Sequence, residues 1–183
     1  LTVKSKYLHF DEPIWYRDSK DNSKVKFSNN KKTIAVYDVT PANTLSHYAW
    51  TKRALYINDP KNVIKFYEDI LFLQDKYNFN LIIKFKKNDR DKDDEIYKKI
   101  FSRLDLDNNN IILIHSNKSP IKVNENANAI ISYPFTSAAY FNSRNLPSIY
   151  YDPIGLIDHN KQINFGVSLI GNLNKLEEWI KKV

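Results

Sequence analysis

Five short apolar runs recur along the chain, and their form constrains the fold more than any other feature of the sequence. Each run has four to seven residues, and apolar side chains occupy both odd and even positions in it. A strand of this kind is buried on both faces, as in a parallel sheet that helices cover on either side. The runs span residues 33–39, 81–85, 111–114, 129–132 and 148–151.

Helical patterns fill the stretches between these runs. Asp59-Pro60 is typical of a helix start, with Asp at the N-cap and Pro at the first helical position. Apolar residues then follow at spacings of three and four, at Val63, Phe66, Ile70, Leu73 and Tyr77. Further helices are predicted at about 91–104, about 136–144 and 173–180. Because strands and helices alternate, we predict the α/β class, with a doubly wound, Rossmann-like parallel sheet.

The sequence divides into two parts after Lys32. Residues 1–32 are irregular and basic, and we interpret them as a linker or lead-in from a missing upstream domain. Residues 33–183 form the predicted Rossmann-like domain. Because the chain begins at Leu1 and contains no methionine, we expect it to be a fragment of a longer protein.

The composition excludes several classes of protein. With 42% hydrophobic and 27% charged residues, the chain is too apolar for disorder, and no run approaches the roughly 20 apolar residues of a membrane span. The absence of cysteine excludes disulfides and thiolate zinc sites. It is also compatible with the cytoplasm, where we expect the protein, with peripheral attachment at the inner membrane face left open.

The net charge of +7 raises the question of a nucleic-acid partner. No recognition motif accompanies the charge, and the abundance of Asn, Lys and Ile is typical of an AT-rich genome. We therefore expect no nucleic-acid partner.

The segment from Ser132 to Ala139 is the strongest candidate for a ligand site. Ligands bind doubly wound sheets beyond the carboxyl ends of the strands, and this segment leads from such an end into a helix. The first turn of a helix has free N–H groups and a positive dipole end, which together can hold a phosphate. Thr136 and Ser137 can add hydroxyl donors. The alternative is that Thr136 only caps the helix.

Several segments resemble a bacterial polysaccharide-biosynthesis family that is named for its PFTS motif. Pro134-Phe-Thr-Ser137 carries the motif, and Leu146-Pro-Ser-Ile-Tyr-Tyr-Asp-Pro153 follows it as in the family. Two further segments are similar, Tyr37-Asp-Val-Thr-Pro41 near the start and Leu169-Ile-Gly171 with the closing helix near the end. The resemblance covers about residues 33–183. The family is itself similar to the C-terminal halves of GT-B glycosyltransferases.

This resemblance implies a function. In GT-B enzymes a Ser/Thr pair that opens a helix binds the phosphate of the nucleotide-sugar donor, and this role carries over to Thr136 and Ser137. The chain would then be the donor-binding half of a glycosyltransferase-like protein of bacterial surface polysaccharide, such as capsule or O-antigen. Its partners would be a nucleotide-activated sugar and, through the missing N-terminal domain, a polysaccharide or lipid-linked acceptor. No cofactor is implied, and we expect the isolated chain to be inactive.

The alternative is a degenerate, non-catalytic α/β scaffold in a polysaccharide-assembly complex. It is favoured by a departure from the broader pattern. Many relatives have His-Pro after the second strand, where this chain reads Lys84-Phe-Lys-Lys-Asn-Asp89. Lys84 and Lys86, two residues apart, are expected to project outward from the end of the strand. They could supply positive charge to the donor phosphate, or they are solvated lysines on a charged rim.

Two other strand ends contribute candidate residues. His115 and Ser116 follow the third strand, where GT-B proteins often recognise the nucleobase, although His115 could instead bond to the local backbone. Asp38 and Thr40 end the first strand and face the same cleft, where they could contact the acceptor or form an Asx turn.

The D-x-D sequences are not expected to bind metal. They lie in a charge run that enters a helix or in a loop that lacks the glycine and glutamate of a calcium site, at Asp89-Arg-Asp91, Asp91-Lys-Asp93 and Asp105-Leu-Asp107. The helix after the PFTS motif is predicted to end at Asn145 in a left-handed conformation, which Asn tolerates best after glycine.

Overall fold

A computed structural model describes residues 25–39, 41, 58–85, 102, 109–114, 119–134, 138–142, 145–157 and 166–183. Its strands are β1 (Thr33–Tyr37), β2 (Asn80–Lys84), β3 (Ile111–Ile114), β4 (Ala129–Ser132), β5 (Ser148–Tyr151) and β6 (Ser168–Ile170). Its helices are α1 (Pro60–Tyr77), α2 (Pro120–Asn124), α3 (Ala138–Asn142) and α4 (Leu173–Lys182).

The six strands form one sheet in the order β3-β2-β1-β4-β5-β6, and every neighbouring pair is parallel. Apolar cores lie on both of its sides. Helices α1 and α4 contribute to the core of the first side, and α2 and α3 contribute to that of the second, where a smaller cluster contains Ala138, Tyr150, Val167 and Leu169. We call these sides the first face and the second face. The predicted doubly wound parallel sheet is therefore confirmed.

The bounds of the strands follow the apolar runs closely. β3, β4 and β5 begin and end at the predicted residues, whereas β1 ends at Tyr37 rather than Val39 and β2 lies one residue earlier than predicted. Asn80 joins β2 because its backbone N–H donates to the Lys32 carbonyl at 2.8 Å. The predicted helix at 91–104 lies outside the described residues, Ser102 excepted.

Helix α1 begins where the sequence predicted. The Asp59 side chain accepts a hydrogen bond from the Lys61 backbone N–H at 3.1 Å, and Pro60 occupies the first turn. Asn78 ends the helix in a left-handed conformation with φ 52°. The predicted apolar stripe is buried on the first face, at Val63, Phe66, Ile70 and Leu73. Each such side chain contributes about 1.5–3 kcal/mol of stability through burial.

Part of the predicted lead-in packs on the second face of the sheet. Val25 and Phe27 are buried among the residues of that core, at 4% and 8% exposure. The Asn126 side chain donates to the Val25 carbonyl at 2.9 Å, and the Asn80 side chain donates to Asn29 Oδ1 at 2.7 Å. The packed part of the chain therefore includes residues ahead of Thr33, whereas the upstream domain stays a prediction.

Candidate functional site

The strand order reverses direction at one switch point, between β1 and β4. β1 and β4 are neighbours, yet the chain leaves β1 toward β2 on one side and leaves β4 toward β5 on the other. Loops that follow such a pair diverge and open a crevice beyond the carboxyl ends of the strands, where doubly wound proteins bind ligands. Pro134, the first residue of the PFTS motif, follows β4 after Tyr133, and the rest of the motif lies outside the described residues.

Backbone hydrogen bonds continue for one residue beyond the strands and align their carboxyl ends. The Tyr133 N–H donates to the Tyr37 carbonyl at 2.9 Å, and the Asp38 N–H donates to the Lys84 carbonyl at 3.5 Å. The Phe85 N–H donates to the Ile114 carbonyl at 3.0 Å. The ends of β1 to β4 therefore form one edge, which we call the carboxyl edge.

Of the predicted site residues, Lys84 and Asp38 lie at this edge within the described part of the chain. The others lie outside it, namely Thr136, Ser137, Lys86, His115, Ser116 and Thr40. Their roles stay predictions.

Lys84 is buried, with 6% of its surface exposed. Its ammonium lies 3.4 Å from the Phe85 carbonyl oxygen, to which it donates. Burial lowers the pKa of Lys84 from 10.5 to about 8, although the negative charge of Asp38 acts in the opposite direction. The interpretation of Lys84 as a solvated lysine that projects outward is therefore wrong, because the side chain at the end of β2 is enclosed by the fold.

Asp38 is also buried, at 2% exposure, and attracts the Lys84 charge. Asp38 follows β1 by one residue, and its negative charge acts on the ammonium at the end of the neighbouring strand β2. Burial lowers the pKa of Lys84 more than this charge raises it.

Three residues form a row across the carboxyl edge. Tyr37 of β1 is in register with Lys84 on one side and with Ser132 on the other. Successive side chains of a strand alternate between faces, so all three project to the second face, as do Ile82 and Ile130 two residues earlier in β2 and β4. We call Lys84, Tyr37 and Ser132 the edge row.

The centre of this row is held in place by the second-face helices. The Tyr37 hydroxyl donates to Asn124 Oδ1 at 2.9 Å and lies 3.2 Å from the Pro120 carbonyl oxygen. Phe141 of α3 stacks on the Tyr37 ring, with centroids 5.6 Å apart and an interplanar angle of 26°. Tyr37 is therefore held in one position between Lys84 and Ser132 in the edge row.

Comparison with family models shows the family of the chain. A family model described as "Polysaccharide biosynthesis PFTS motif protein" matches residues 4–180. The chain belongs to this family. No significant match is found among curated proteins or solved structures.

In this PFTS-motif protein, the segment after the motif has a structural role at Asp152. Asp152 is buried, and its carboxylate accepts hydrogen bonds from the Ile154 and Ile157 backbone N–H groups at 3.2 and 2.9 Å. Its own N–H donates to the Ile170 carbonyl of β6. Asp152 therefore shapes the turn that follows β5 rather than extending toward a ligand.

Tyr133, directly after β4, packs on the first face of the PFTS-motif protein. Its ring meets Phe66 edge-on, with centroids 5.1 Å apart. Burial, together with the charges of Asp152 and Asp59, raises the pKa of the Tyr133 hydroxyl above its ordinary value. The hydroxyl thus stays protonated and cannot act as a base near neutral pH.

Sequence reasoning did not select Ser132 as a site residue. The available signal was a polar residue that closes an otherwise apolar strand, Ala129–Ser132, just ahead of the PFTS motif. Such a residue is buried at a strand end because both faces of the strand are covered.

A cleft of about 420 Å³ lies at the opposite, amino edge of the sheet. Lys31, Phe79, Ala129 and Ile180 are among the residues that line it. It does not adjoin the edge row, since Ala129 begins the strand that Ser132 ends.

In the described part of this PFTS-motif protein, no group of three or more His, Asp or Glu side chains is placed to hold a metal ion. The D-x-D sequences lie outside that part of the chain. Its helices include none with the length and apolar character needed to cross a bilayer.

Proposed function

We propose that this domain is the donor-binding half of a glycosyltransferase-like protein of bacterial surface polysaccharide biosynthesis. It holds the phosphate of a nucleotide-activated sugar at the carboxyl edge. The observation that carries the proposal is the buried Lys84 ammonium at the carboxyl edge, where β4 ends two residues ahead of the PFTS motif. Membership in a polysaccharide-biosynthesis family gives the biological setting.

An anion is the ligand that this edge favours on electrostatic grounds. Burial removes water from the ammonium and lowers the pKa of Lys84 to about 8, although the negative charge of Asp38 acts in the opposite direction. A phosphate near Lys84 supplies further negative charge in surroundings where electrostatic interactions are stronger than in water. A nucleoside diphosphate should therefore bind to the protein in which Lys84 is protonated.

The PFTS motif supplies hydrogen-bond donors in this proposal. The hydroxyls of Thr136 and Ser137 bind the donor phosphate and stabilise the negative charge that grows on the leaving nucleotide as the glycosidic bond forms. The base that activates the acceptor hydroxyl belongs to an upstream domain. The isolated chain therefore binds the donor but does not turn it over.

A thermal-shift screen against CMP, CDP, UDP, GDP and TDP tests the proposal. At 100 times its dissociation constant, a ligand that binds only the folded state stabilises it by about 2.7 kcal/mol, which raises the melting temperature measurably. Ser137→Ala should weaken the binding of the selected nucleotide several-fold while leaving the melting temperature of the free protein unchanged. Thr136→Ala should also weaken binding, and it should cost about 1 kcal/mol of stability if Thr136 caps the helix as well.

Two outcomes would contradict the proposal. If none of the five nucleotides shifts the melting temperature, the non-catalytic scaffold becomes the better account of this family member. If a nucleotide binds and Ser137→Ala leaves its dissociation constant unchanged, the phosphate does not lie at the PFTS motif.

A further inference from the structure

Ser132 carries a buried hydroxyl that makes no hydrogen bond within the described part of the chain. The residue is 0% exposed, and its Oγ has no partner there. Buried hydroxyls in native proteins are nearly always hydrogen-bonded, because losing water without gaining a partner is destabilising. An unpaired one at the carboxyl end of a central strand therefore indicates a missing partner.

Two other hydroxyl groups on the strands beside Ser132 do have hydrogen-bond partners. The Tyr37 hydroxyl, next to Ser132 in register, is bonded to Asn124. The Ser148 hydroxyl, at the amino end of the neighbouring strand β5, donates to the Leu146 carbonyl at 2.7 Å. Alanine would occupy the position of Ser132 without the cost of an unpaired hydroxyl, so the fold itself does not require a serine there.

The place of Ser132 in the edge row indicates what the partner is. Ser132 and Lys84 flank Tyr37 on the same face, and with neighbouring strands about 4.8 Å apart their backbones are about 10 Å from each other. Ser132 is also the last residue of β4, only two residues ahead of the PFTS motif. Ser132 and the buried Lys84 therefore belong to the same edge of the sheet, and Pro134, the first residue of the motif, follows Ser132 by two residues.

We propose that the Ser132 hydroxyl donates a hydrogen bond to a phosphate oxygen of the bound nucleotide. This inference rests on the proposed function. It adds one contact, from the end of β4, to the contacts proposed for the PFTS motif. An O–H group bonded to a charged oxygen gives a shorter and stronger hydrogen bond than one bonded to a neutral oxygen. The cation in the same row favours such an anionic acceptor over a neutral sugar hydroxyl.

The test compares two serine-to-alanine variants of the full chain. Ser132→Ala should weaken binding of the nucleoside diphosphate selected by the screen by about threefold to tenfold, the range expected for one hydrogen bond. Its melting temperature without ligand should be unchanged or higher, because no partner is lost. Ser148→Ala, the matched control, should lower the melting temperature and leave the dissociation constant unchanged. Inorganic pyrophosphate should lose affinity for Ser132→Ala by a factor similar to that of the nucleotide.

Each remaining outcome overturns the inference in a distinguishable way. If the wild type binds no nucleotide, the proposed function fails and this contact fails with it. If the wild type binds and Ser132→Ala binds equally well, this inference alone is wrong. A lower melting temperature for Ser132→Ala with unchanged affinity would show that the hydroxyl holds the protein itself together. Weaker nucleotide binding with unchanged pyrophosphate binding would place Ser132 at the nucleoside or sugar instead.

Discussion

Burial brings the pKa of Lys84 close to neutral pH. Its pKa in the folded protein is about 8, compared with 10.5 for an ordinary lysine, because desolvation outweighs the attraction of Asp38. Between these values the unfolded chain holds a proton that the folded chain has lost. Lys84 therefore makes folding more favourable as pH rises from about 8 to 10.5, and below about 8 its buried charge opposes folding. The proposed phosphate binding should have the opposite dependence, because it requires the charged form.

We predict that nucleotide affinity falls as pH rises from about 7 to about 9, a range in which an ordinary lysine stays fully protonated. Lys84→Met should bind more weakly near pH 7 and should lose most of this pH dependence. The measurement is a set of calorimetric titrations across the pH range. Lys175→Met, at an exposed lysine of α4, serves as the control and should keep the wild-type profile. A profile that is the same in Lys84→Met and the wild type would show that another group titrates.

At the scale of single elements, the turn from α3 into β5 depends on the left-handed conformation of Asn145. Its φ is 61°, as the sequence predicted, and the following Leu146 N–H donates back to the Phe141 carbonyl at 3.2 Å. This turn orients α3, whose Phe141 covers the edge row through Tyr37. A residue with a Cβ atom and no local side-chain hydrogen bond is strained in this conformation.

Asn145→Ala should therefore lower the free energy of unfolding by about 1 kcal/mol, and Asn145→Gly should stay within about 0.5 kcal/mol of the wild type. Asn174→Ala is the matched control, because Asn174 lies inside helix α4, where alanine is neutral or slightly stabilising. Urea unfolding of the three variants checks the order. Equal stabilities of the alanine and glycine variants at position 145 would contradict the role of the left-handed turn.

The elements that sequence could predict are those with a strong local signal. β3, β4 and β5 are short runs that stay apolar on both faces, and α1 has a capping residue, a proline and a full apolar stripe. β6 has only three residues and was not predicted. Helix α2 was also missed, although Ser119-Pro120 repeats the start signal of α1, because its five residues are too few to show a periodic stripe.

The candidate site was less predictable than the fold, for a physical reason. The alternation of strands and helices indicates which loops share an edge, and it selected the PFTS motif, Asp38 and Lys84. It does not report burial at a strand end, which depends on what covers that end. The burial of Lys84 and the missing partner of Ser132 result from tertiary packing. Only the folded arrangement could reveal the edge row.

At the scale of the whole molecule, the second face is completed by residues that precede the first strand. Phe27 is 8% exposed and belongs to the same core as Tyr37 and Phe141, which line or cover the edge row. The segment 25–32 thus supports the layer on which the candidate site rests.

Phe27→Ala should lower the free energy of unfolding by about 3 kcal/mol, as expected when a large aromatic side chain is removed from a core. Lys26→Ala, at the exposed neighbouring position, should change it by less than about 0.5 kcal/mol. Chemical denaturation of both variants provides the comparison. A loss below about 1 kcal/mol for Phe27→Ala would mean that this segment contributes little to the core.

The central position of β1 has a consequence for the order in which the chain assembles. β1 is the first of the described strands to leave the ribosome, yet Thr33 meets Asn80, 47 residues later, and Asn128, 95 residues later. Contacts over such distances require the closure of long loops and form slowly. Until β4 has been synthesised, one hydrogen-bonding edge of β1 has no partner and is open to association with other chains. The central strand of this sheet is therefore synthesised first and paired late. We expect the yield of folded protein in the cell to depend on how well the open edge of β1 is protected until β4 is available.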